Sequence, residues 1–179
     1  APKRLTLVVN SATHRASLTH ELIEAGLVDK VIASSGRGHD RENLSPFEKR
    51  LKAGEIEFEC VPQGTMVERI RAGGAGIPAF YCPVGAGTDL TAGKEVRRFG
   101  NYTCVLEHAI VADLAMIRGD TADRYGNVRF RHAQANFGPA MATAARCTVA
   151  EVRVVHDEPM APQEVQLSGV YVQRVFAVE

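Results

Sequence analysis

The sequence lacks the features that mark several common classes of protein. Its 21 Lys and Arg residues are balanced by 21 Asp and Glu residues and its pI is about 7.2, so charge gives no indication of binding to nucleic acid or to an anionic membrane. No apolar run approaches the roughly 20 residues of a membrane span, and residues 1–4 do not begin a signal peptide. We therefore predict no nucleic-acid or membrane partner and expect a cytosolic location.

Closely spaced metal ligands are also absent. The sequence contains no CxxC or CxxH pair, and its four cysteines are widely spaced in apolar surroundings, at Cys60, Cys82, Cys104 and Cys147. Such spacing predicts reduced thiols in the core rather than disulfide bonds or zinc ligands. The six histidines are scattered as well, and we interpret them as surface or core residues rather than general bases. No bound metal is predicted.

Strand and helix patterns alternate through the first third of the chain. Apolar strand runs and amphipathic helix patterns occur in turn, with strands at 5–9, 31–33 and 56–60 and helices at 17–25 and 45–54. The second helix is expected to begin with Ser45 as N-cap, Pro46 at the first helical position and Glu48 completing a capping box. Strand–helix–strand units of this length predict an open, mainly parallel sheet with flanking helices. The 179 residues are enough for one such domain.

The later part of the chain has a different pattern. A hairpin is predicted at 95–107, where Gly100-Asn101 supplies the turn. Further apolar runs predict strands at 114–117, 127–130, 148–155 and 169–176, and a short Ala-rich helix is expected at 139–145.

The stretch 57–88 carries the clearest indication of a ligand site. The strand pattern stops at Val61-Pro62-Gln63-Gly64, and Thr65 with Glu68 three residues later has the pattern of a capping box that begins a helix. Gln63 is therefore expected at the carboxyl end of a strand and beside a helix N-terminus, where open α/β sheets bind ligands. The alternative is that Gln63 only caps the helix that follows it.

Two glycine-dense loops surround the short apolar strand 79–82. Loops without side chains allow a ligand to approach the main chain closely. The alternative for Gly73 or Gly74 is a helix end with positive φ, and Gly85 and Gly87 are open to both interpretations. We predict a pocket to which five glycines contribute, namely Gly73, Gly74, Gly76, Gly85 and Gly87.

Seven blocks of the sequence resemble one family over nearly the whole chain. In unbroken order they are residues 62–65, 72–81, 87–88, 93–95, 123–127, 136–137 and 171–175. Together they resemble the α subunit of class I CoA-transferases, and in particular the 3-oxoacid type. The resemblance implies the open α/β fold of the CoA-transferase superfamily. It also implies an enzyme of paired α and β subunits that moves CoA between an acyl-CoA, such as succinyl-CoA, and a carboxylate, such as acetoacetate.

The resemblance implies roles for individual residues. The family's nucleophile is a β-subunit glutamate, which forms a glutamyl–CoA thioester, so this chain supplies part of the pocket. Gln63 matches the glutamine that donates to the oxyanion at the thioester carbonyl. Asn136 is similar to an asparagine of the family's RNFN block, although Gln134-Ala135 and Gly138 replace two other members of that block. CoA enters as a thioester substrate, and no permanently bound cofactor is implied.

Two departures from the family affect these expectations. The family's first βα unit, with its GGFG-like glycine turn, has no counterpart in residues 1–179, so we expect one domain that is N-terminally incomplete relative to the family. The family's SYVGEN segment is replaced by a longer loop at 34–43, where Arg37 and Arg41 could meet an acyl carboxylate or a CoA phosphate. The alternative is that both arginines are only solvated. Acetate or 3-oxoadipate remains open as the acceptor. A non-catalytic, metabolite-binding domain of the same superfamily is the alternative from another functional class.

Overall fold

The computed structural model describes residues 4–13, 19–38, 40 and 42–178. Two compact units are present. Unit 1 comprises residues 1–66 and 83–105, and unit 2 comprises residues 67–82 and 106–179. The single domain expected from the chain length stays a prediction.

Unit 1 is built on a parallel three-stranded sheet in the order β1-β2-β3. Its strands are β1 (Leu5–Ser11), β2 (Val28–Ser35) and β3 (Glu57–Cys60), and the connecting helices are α1 (Thr19–Glu24) and α2 (Pro46–Lys52). The apolar side chains of strands and helices form one core, which contains Ile23, Val28, Val31, Ala33, Phe47 and Ile56. The predicted parallel sheet with flanking helices is thereby confirmed. Residues 17 and 18 of the predicted first helix, His14, His39 and Arg41 lie outside the described residues.

Helix α2 begins as its sequence predicts. Ser45 accepts a hydrogen bond from the Glu48 backbone N–H at 3.2 Å, and the Glu48 carboxylate accepts one from the Ser45 N–H at 2.9 Å. Pro46 occupies the first helical position, where its missing N–H costs no hydrogen bond. Gly54 has a φ of +71° just beyond the helix, which allows the chain to turn back toward β3.

Unit 2 has its own parallel sheet, in the order β12-β10-β7. Its strands are β7 (Ala112–Arg118), β10 (Ala145–Val152) and β12 (Arg174–Ala177), and a smaller sheet contains β8 (Thr121–Asp123), β9 (Val128–Arg129) and β11 (Val154–His156). Helix α4 (Gln134–Thr143) connects β9 to β10. The core of this unit includes Ile117, Val128, Phe130, Ala150, Val152 and Leu167.

The remaining elements are helix α3 (Gln63–Gly74) and the strands β4 (Ala79–Cys82), β5 (Val96–Phe99) and β6 (Tyr102–His108). The three strands form a sheet in the order β4-β6-β5, in which β5 and β6 are antiparallel. The predicted hairpin is confirmed, and Gly100 has the positive φ that its turn requires. Within unit 2, Arg69 of α3 donates to the His108 carbonyl at 2.7 Å and lies 3.9 Å from the buried Glu107 carboxylate, so charged groups also hold this helix in place.

Three predicted elements differ from the structure. The predicted strand 148–155 is divided between β10 (Ala145–Val152) and β11 (Val154–His156), which lie in different sheets. The predicted helix 139–145 begins earlier, at Gln134, because the Gln134 side chain accepts a hydrogen bond from the Arg131 N–H and the helix continues through Pro139. The predicted strand 169–176 begins with a 3-10 turn at Gly169–Tyr171. No helix in the described part of the chain is long and apolar enough to cross a membrane.

Candidate active site at the carboxyl edge of a parallel sheet

The carboxyl ends of β1, β2 and β3 meet at one edge of the unit 1 sheet. In the parallel register Ser11 lies opposite Ser35, and Ala33 lies opposite Cys60. The chain leaves β3 at this edge and enters α3, whose first residue is Gln63. Gln63 therefore lies at the end of a strand and the start of a helix, as predicted, and open α/β sheets bind ligands at that position.

The predicted capping box of Thr65 and Glu68 is wrong. The backbone N–H of Met66 donates to the Pro62 carbonyl at 2.9 Å, so the helical hydrogen bonds begin at Pro62. Because proline has no N–H to leave unsatisfied, the helix can begin two residues before the predicted box. Thr65 is buried in the first turn, and Glu68 accepts a hydrogen bond from Arg71 at 2.8 Å.

The exposed amide of Gln63 is held by residues near the ends of two strands. Its Nε2 donates to Oδ1 of Asn10 at 2.9 Å. The Ser34 hydroxyl lies 2.8 Å from the same Oδ1 and 2.7 Å from the Asn10 backbone carbonyl. Within the described residues, Gln63 thus bonds a neighbouring side chain, and the alternative role of helix cap is not observed.

This arrangement presents neutral hydrogen-bond donors at an exposed edge. A glutamine amide nitrogen carries two protons, and Asn10 accepts one of those on Gln63. The second Nε2 proton of Gln63 has no acceptor among residues 4–13, 19–38, 40 and 42–178. Such donors can stabilise negative charge that develops on a carbonyl oxygen, and their neutrality avoids attracting a competing carboxylate.

Sequence reasoning missed Asn10 and Ser34. A signal was present, because each is a polar residue placed just after an apolar strand run, 5–9 for Asn10 and 31–33 for Ser34. Polar side chains at the carboxyl ends of neighbouring parallel strands share one sheet edge. Their contact with each other depends on the register between β1 and β2, which the sequence alone does not specify.

Gly85 lies close to the start of α3. A Cβ added at Gly85 would be 3.9 Å from Pro62, the residue before Gln63. The Gly85 carbonyl accepts hydrogen bonds from the hydroxyls of Thr88 and Thr91, each at 2.7 Å, which closes the loop on itself. Gly85 and Gly87 both have positive φ, +77° and +81°, so a turn requires glycine at each. Their contribution to a substrate pocket stays a prediction.

Gly73 and Gly74 are packing positions in unit 2. A Cβ added to Gly73 would overlap the Ile110 carbonyl oxygen, and one added to Gly74 would overlap the Thr143 hydroxyl. The helix can therefore approach its neighbours only where side chains are absent. Binding of substrate or CoA by these two glycines stays a prediction.

Gly76 ends helix α3. It has a φ of +72°, and its N–H donates to the Gly73 carbonyl at 3.2 Å while the Ile77 N–H donates to the Ala72 carbonyl at 2.9 Å. This pair of hydrogen bonds is the Schellman pattern. The helix-end role considered for Gly73 or Gly74 thus falls to Gly76, and its place in a pocket wall stays a prediction.

Asn136 lies in the first turn of α4, in unit 2. Its side chain is exposed, and its backbone N–H donates to the Ala133 carbonyl at 3.1 Å. Gly138 two residues later is buried against the Phe130 ring, where a Cβ would come within 2.8 Å of a ring carbon. The family-like block at 136–138 therefore combines a packing glycine with an exposed amide, and substrate binding by Asn136 stays a prediction.

Within unit 2, the family-like block 123–127 is hydrogen-bonded to the segment that precedes the block 171–175. Asp123 is fully buried, and its carboxylate accepts hydrogen bonds from the backbone N–H groups of Tyr125, Asn127 and Met160. Burial alone would raise the pKa of Asp123, but these hydrogen bonds outweigh it and the pKa lies below its ordinary value. The Asn127 side chain accepts a hydrogen bond from the Gly169 N–H at 2.9 Å, which joins the block 123–127 to the segment before 171–175.

An open depression of about 370 Å³ lies elsewhere in unit 2. Its lining includes Thr121, Arg129, His156 and Glu164, and none of the predicted site residues. The Arg129 guanidinium pairs with Glu164 at 3.2 Å, so its charge is already balanced within the unit. Among the described residues, no group of three or more His, Cys, Asp or Glu side chains could hold a metal ion.

Two relatives of known name are both A-type subunits of CoA-transferases. The chain is 42% identical over 175 residues to the A-type subunit of 3-oxoadipate CoA-transferase from Pseudomonas putida, covering 97% of this chain and 74% of that protein. It is 44% identical over 172 residues to the A-type subunit of succinyl-CoA:3-ketoacid coenzyme A transferase from Xanthomonas campestris pv. campestris (strain B100), covering 96% of this chain and 69% of that protein.

Solved structures share the fold at low sequence identity. Glutaconate coenzyme A-transferase from Acidaminococcus fermentans superposes with a TM-score of 0.80 at 20% identity, covering 98% of this chain and 62% of that chain. An acyl-CoA transferase from Escherichia coli O157:H7, crystallised as a thioester complex with CoA, gives 0.77 at 18% identity, covering 99% of this chain and 38% of that chain. The family model described as coenzyme A transferase matches residues 1–177. The sequence blocks, the parallel sheets and these matches together establish that the chain belongs to the coenzyme A transferase family.

Proposed function

We propose that this chain is the α-type subunit of a CoA-transferase that moves CoA between succinyl-CoA and a 3-oxoacid such as acetoacetate. It works with a second, β-type subunit that supplies the attacking glutamate. The observation that carries the proposal is the placement of Gln63, whose exposed amide is fixed at the carboxyl edge of a parallel sheet by Asn10. CoA is a substrate in this reaction, as its thioester. The cytosolic location and the lack of a permanently bound cofactor stay predictions from the sequence.

The chemistry requires charge to be stabilised on an acyl oxygen. The partner's glutamate carboxylate attacks the thioester carbonyl, and the collapse of the tetrahedral species expels CoA thiolate and leaves an acyl–glutamyl anhydride. The thiolate then attacks the glutamyl carbonyl, which forms the enzyme–CoA thioester and releases the carboxylate product. Gln63 donates to the oxygen that becomes negative in such a step, and one donor of this kind is worth about 2.7–4 kcal/mol.

The acceptor 3-oxoadipate is a second candidate. The relative from Pseudomonas putida that is named for 3-oxoadipate is 42% identical to this chain, which favours it as an alternative to acetoacetate. Both acceptors are 3-oxo carboxylates, and 3-oxoadipate has an additional carboxylate at its far end. Arg37 is exposed in the loop that follows β2, and its side chain would suit that carboxylate.

The test is to co-express the chain with the β-type subunit of a CoA-transferase and to measure CoA exchange. Succinyl-CoA is the donor, and acetoacetate, 3-oxoadipate and acetate are compared as acceptors. We expect exchange only in the mixed complex, and a CoA adduct detected by mass spectrometry on the partner and not on this chain. An adduct on this chain would refute the assignment of the nucleophile, and a complex without exchange toward any carboxylate would favour a non-catalytic metabolite-binding domain.

A further inference from the structure

We propose that Asn10 and Ser34 are positioning residues that set the orientation of the Gln63 amide. Ser34 fixes the side chain of Asn10, and Asn10 fixes Gln63. The inference rests on the proposed function, because it concerns the donor that this function requires. Neither residue needs to touch the substrate for the effect to operate.

The first step is the contact between neighbouring strands. Val9 pairs with Ala33 and Ser11 pairs with Ser35, so Asn10 and Ser34 lie side by side near the carboxyl ends of β1 and β2. The Ser34 hydroxyl approaches both the backbone and the side-chain oxygen of Asn10, at 2.7 and 2.8 Å. One hydroxyl proton shared between these two oxygens holds Oδ1 of Asn10 in place.

The second step is the contact across to helix α3. Oδ1 of Asn10 accepts one hydrogen bond from Ser34 and a second, at 2.9 Å, from Nε2 of Gln63. These two hydrogen bonds use both lone pairs of Oδ1. A carbonyl oxygen can only accept, so the Gln63 group that faces it must be the NH₂ end of the amide. If the amide rotated by half a turn, Oε1 of Gln63 would face Oδ1 of Asn10 and the two oxygens would repel each other.

The orientation matters because an exposed glutamine is otherwise free to rotate. With Nε2 directed to Asn10, the second Nε2 proton of Gln63 points away from that contact and can reach an acyl oxygen. With the amide reversed, an acceptor oxygen would occupy that place and would destabilise a developing negative charge. The three side chains are uncharged, so the orientation is set without placing a carboxylate beside the reacting oxygen.

The experiment is a double-mutant cycle in the complex with the β-type subunit. We expect Asn10→Ala to lower kcat by roughly tenfold or more and to change the KM for succinyl-CoA by less than about threefold, since it removes the orientation of a transition-state donor. In a Gln63→Ala background, Asn10→Ala should not lower kcat further, because its effect passes through Gln63. Full additivity of the two substitutions, or an Asn10→Ala variant with unchanged kcat, would overturn the inference.

Ser34 gives a conservative test with a control on the same strand. Ser34→Ala should lower kcat several-fold, and Ser34→Thr should restore it because the hydroxyl is retained. Ser35 is the next residue of β2, and successive side chains of a strand alternate between the two faces of a sheet, so we expect Ser35→Ala to keep wild-type kcat. A Ser34→Ala variant that behaves like Ser35→Ala would contradict the role of Ser34.

A readout that does not depend on activity separates this inference from the proposed function. The side-chain NH₂ resonances of Gln63, assigned by their loss in Gln63→Ala, should shift in Asn10→Ala and in Ser34→Ala but not in Ser35→Ala. If the wild-type complex exchanges no CoA but these shifts occur, the positioning holds and the proposed function fails. If exchange occurs and Asn10→Ala leaves the Gln63 resonances unchanged, the positioning fails and the proposed function stands.

Discussion

Gln63 owes its position to its own helix and its orientation to residues distant in sequence. The start of α3 at this residue follows from the adjacent Pro62, which the sequence displays directly. The direction of the amide depends on Asn10, which lies 53 residues earlier, and therefore on the folded sheet. A local motif of this kind marks where a donor will be, and only the tertiary structure determines what the donor faces.

Substitution of Gln63 should affect turnover far more than folding. We expect Gln63→Ala to lower kcat by roughly a hundredfold or more, with the KM for succinyl-CoA little changed, because a donor used in the transition state is lost. The side chain is exposed, so the free energy of unfolding should change by less than about 0.5 kcal/mol. Steady-state kinetics of the complex and urea unfolding of the same samples provide the two measurements.

An exposed glutamine elsewhere supplies the control for that substitution. Gln163 lies in a short 3-10 turn of unit 2 and is also exposed, so Gln163→Ala should retain wild-type turnover. Equal turnover in the Gln63→Ala and Gln163→Ala complexes would show that Gln63 takes no part in the reaction.

Helix α3 shows how two glycines in one element can have different roles. Gly64 lies in its first turn, and a Cβ added there would meet no atom within 4 Å. Gly73 lies near its end, where the Ile110 carbonyl oxygen occupies the space that a Cβ would need. Sequence reasoning treated the glycines after Ala72 as a group, because close approach between two backbones leaves no mark in the local pattern.

Alanine substitutions at these two glycines should have different effects on stability. We expect Gly73→Ala to lower the free energy of unfolding by about 1–3 kcal/mol, because helix and backbone must separate. Gly64→Ala should leave it unchanged or raise it by up to about 1 kcal/mol, since alanine favours the helix. Urea unfolding of both variants measures the difference, and equal stability of the two would show that the approach at Gly73 is not tight.

The turn at 123–127 is organised by one buried carboxylate. Replacing Asp123 by alanine leaves the N–H groups of the half-buried residues Asn127 and Met160 without their acceptor. Each such group costs about 1–3 kcal/mol, so we expect Asp123→Ala to lower the free energy of unfolding by roughly 3 kcal/mol or more. Asp157→Ala, at an exposed aspartate, is the matched control and should change it by less than about 0.5 kcal/mol. Thermal or urea unfolding that fails to separate the two variants would mean that backbone groups in this turn are satisfied in another way.

Over the whole chain, sequence patterns predicted the elements better than their contacts. The parallel order of β1, β2 and β3 followed from alternating strand and helix patterns, and Ser45 with Glu48 correctly marked the start of α2. The box at Thr65 failed because Pro62 starts the helix first, and α4 was predicted too short because a proline inside a helix normally breaks it. Gln63 was found from its local pattern. Its support from neighbouring strands depends on register and could not be found that way.

Carboxylates with lowered pKa are present in both units. The Arg153 hydrogen bond lowers the pKa of Asp120 in unit 2, where the two side chains lie 2.8 Å apart. For Glu48 in unit 1, burial would raise the pKa, but hydrogen bonds from the N–H groups of Ser45 and Gly38 bring it below its ordinary value. For Asp123 in unit 2, burial would also raise the pKa, and hydrogen bonds again bring it below its ordinary value. All three groups bind protons less readily in the folded chain than in the unfolded one.

The free energy of unfolding should therefore fall as the pH is lowered below about 5. The unfolded chain, whose aspartates and glutamates have ordinary pKa values of 3.8 and 4.5, binds more protons there than the folded chain, so stability increases with pH in this range. The contribution is complete above the ordinary values and is lost as the pH falls through the lowered ones. Urea unfolding at several pH values between about 3 and 7 measures the slope, and Asp120→Asn should reduce it because one of the three groups no longer titrates. Equal stability at both ends of this range, or an Asp120→Asn variant with the wild-type slope, would show that these carboxylates do not link folding to protonation.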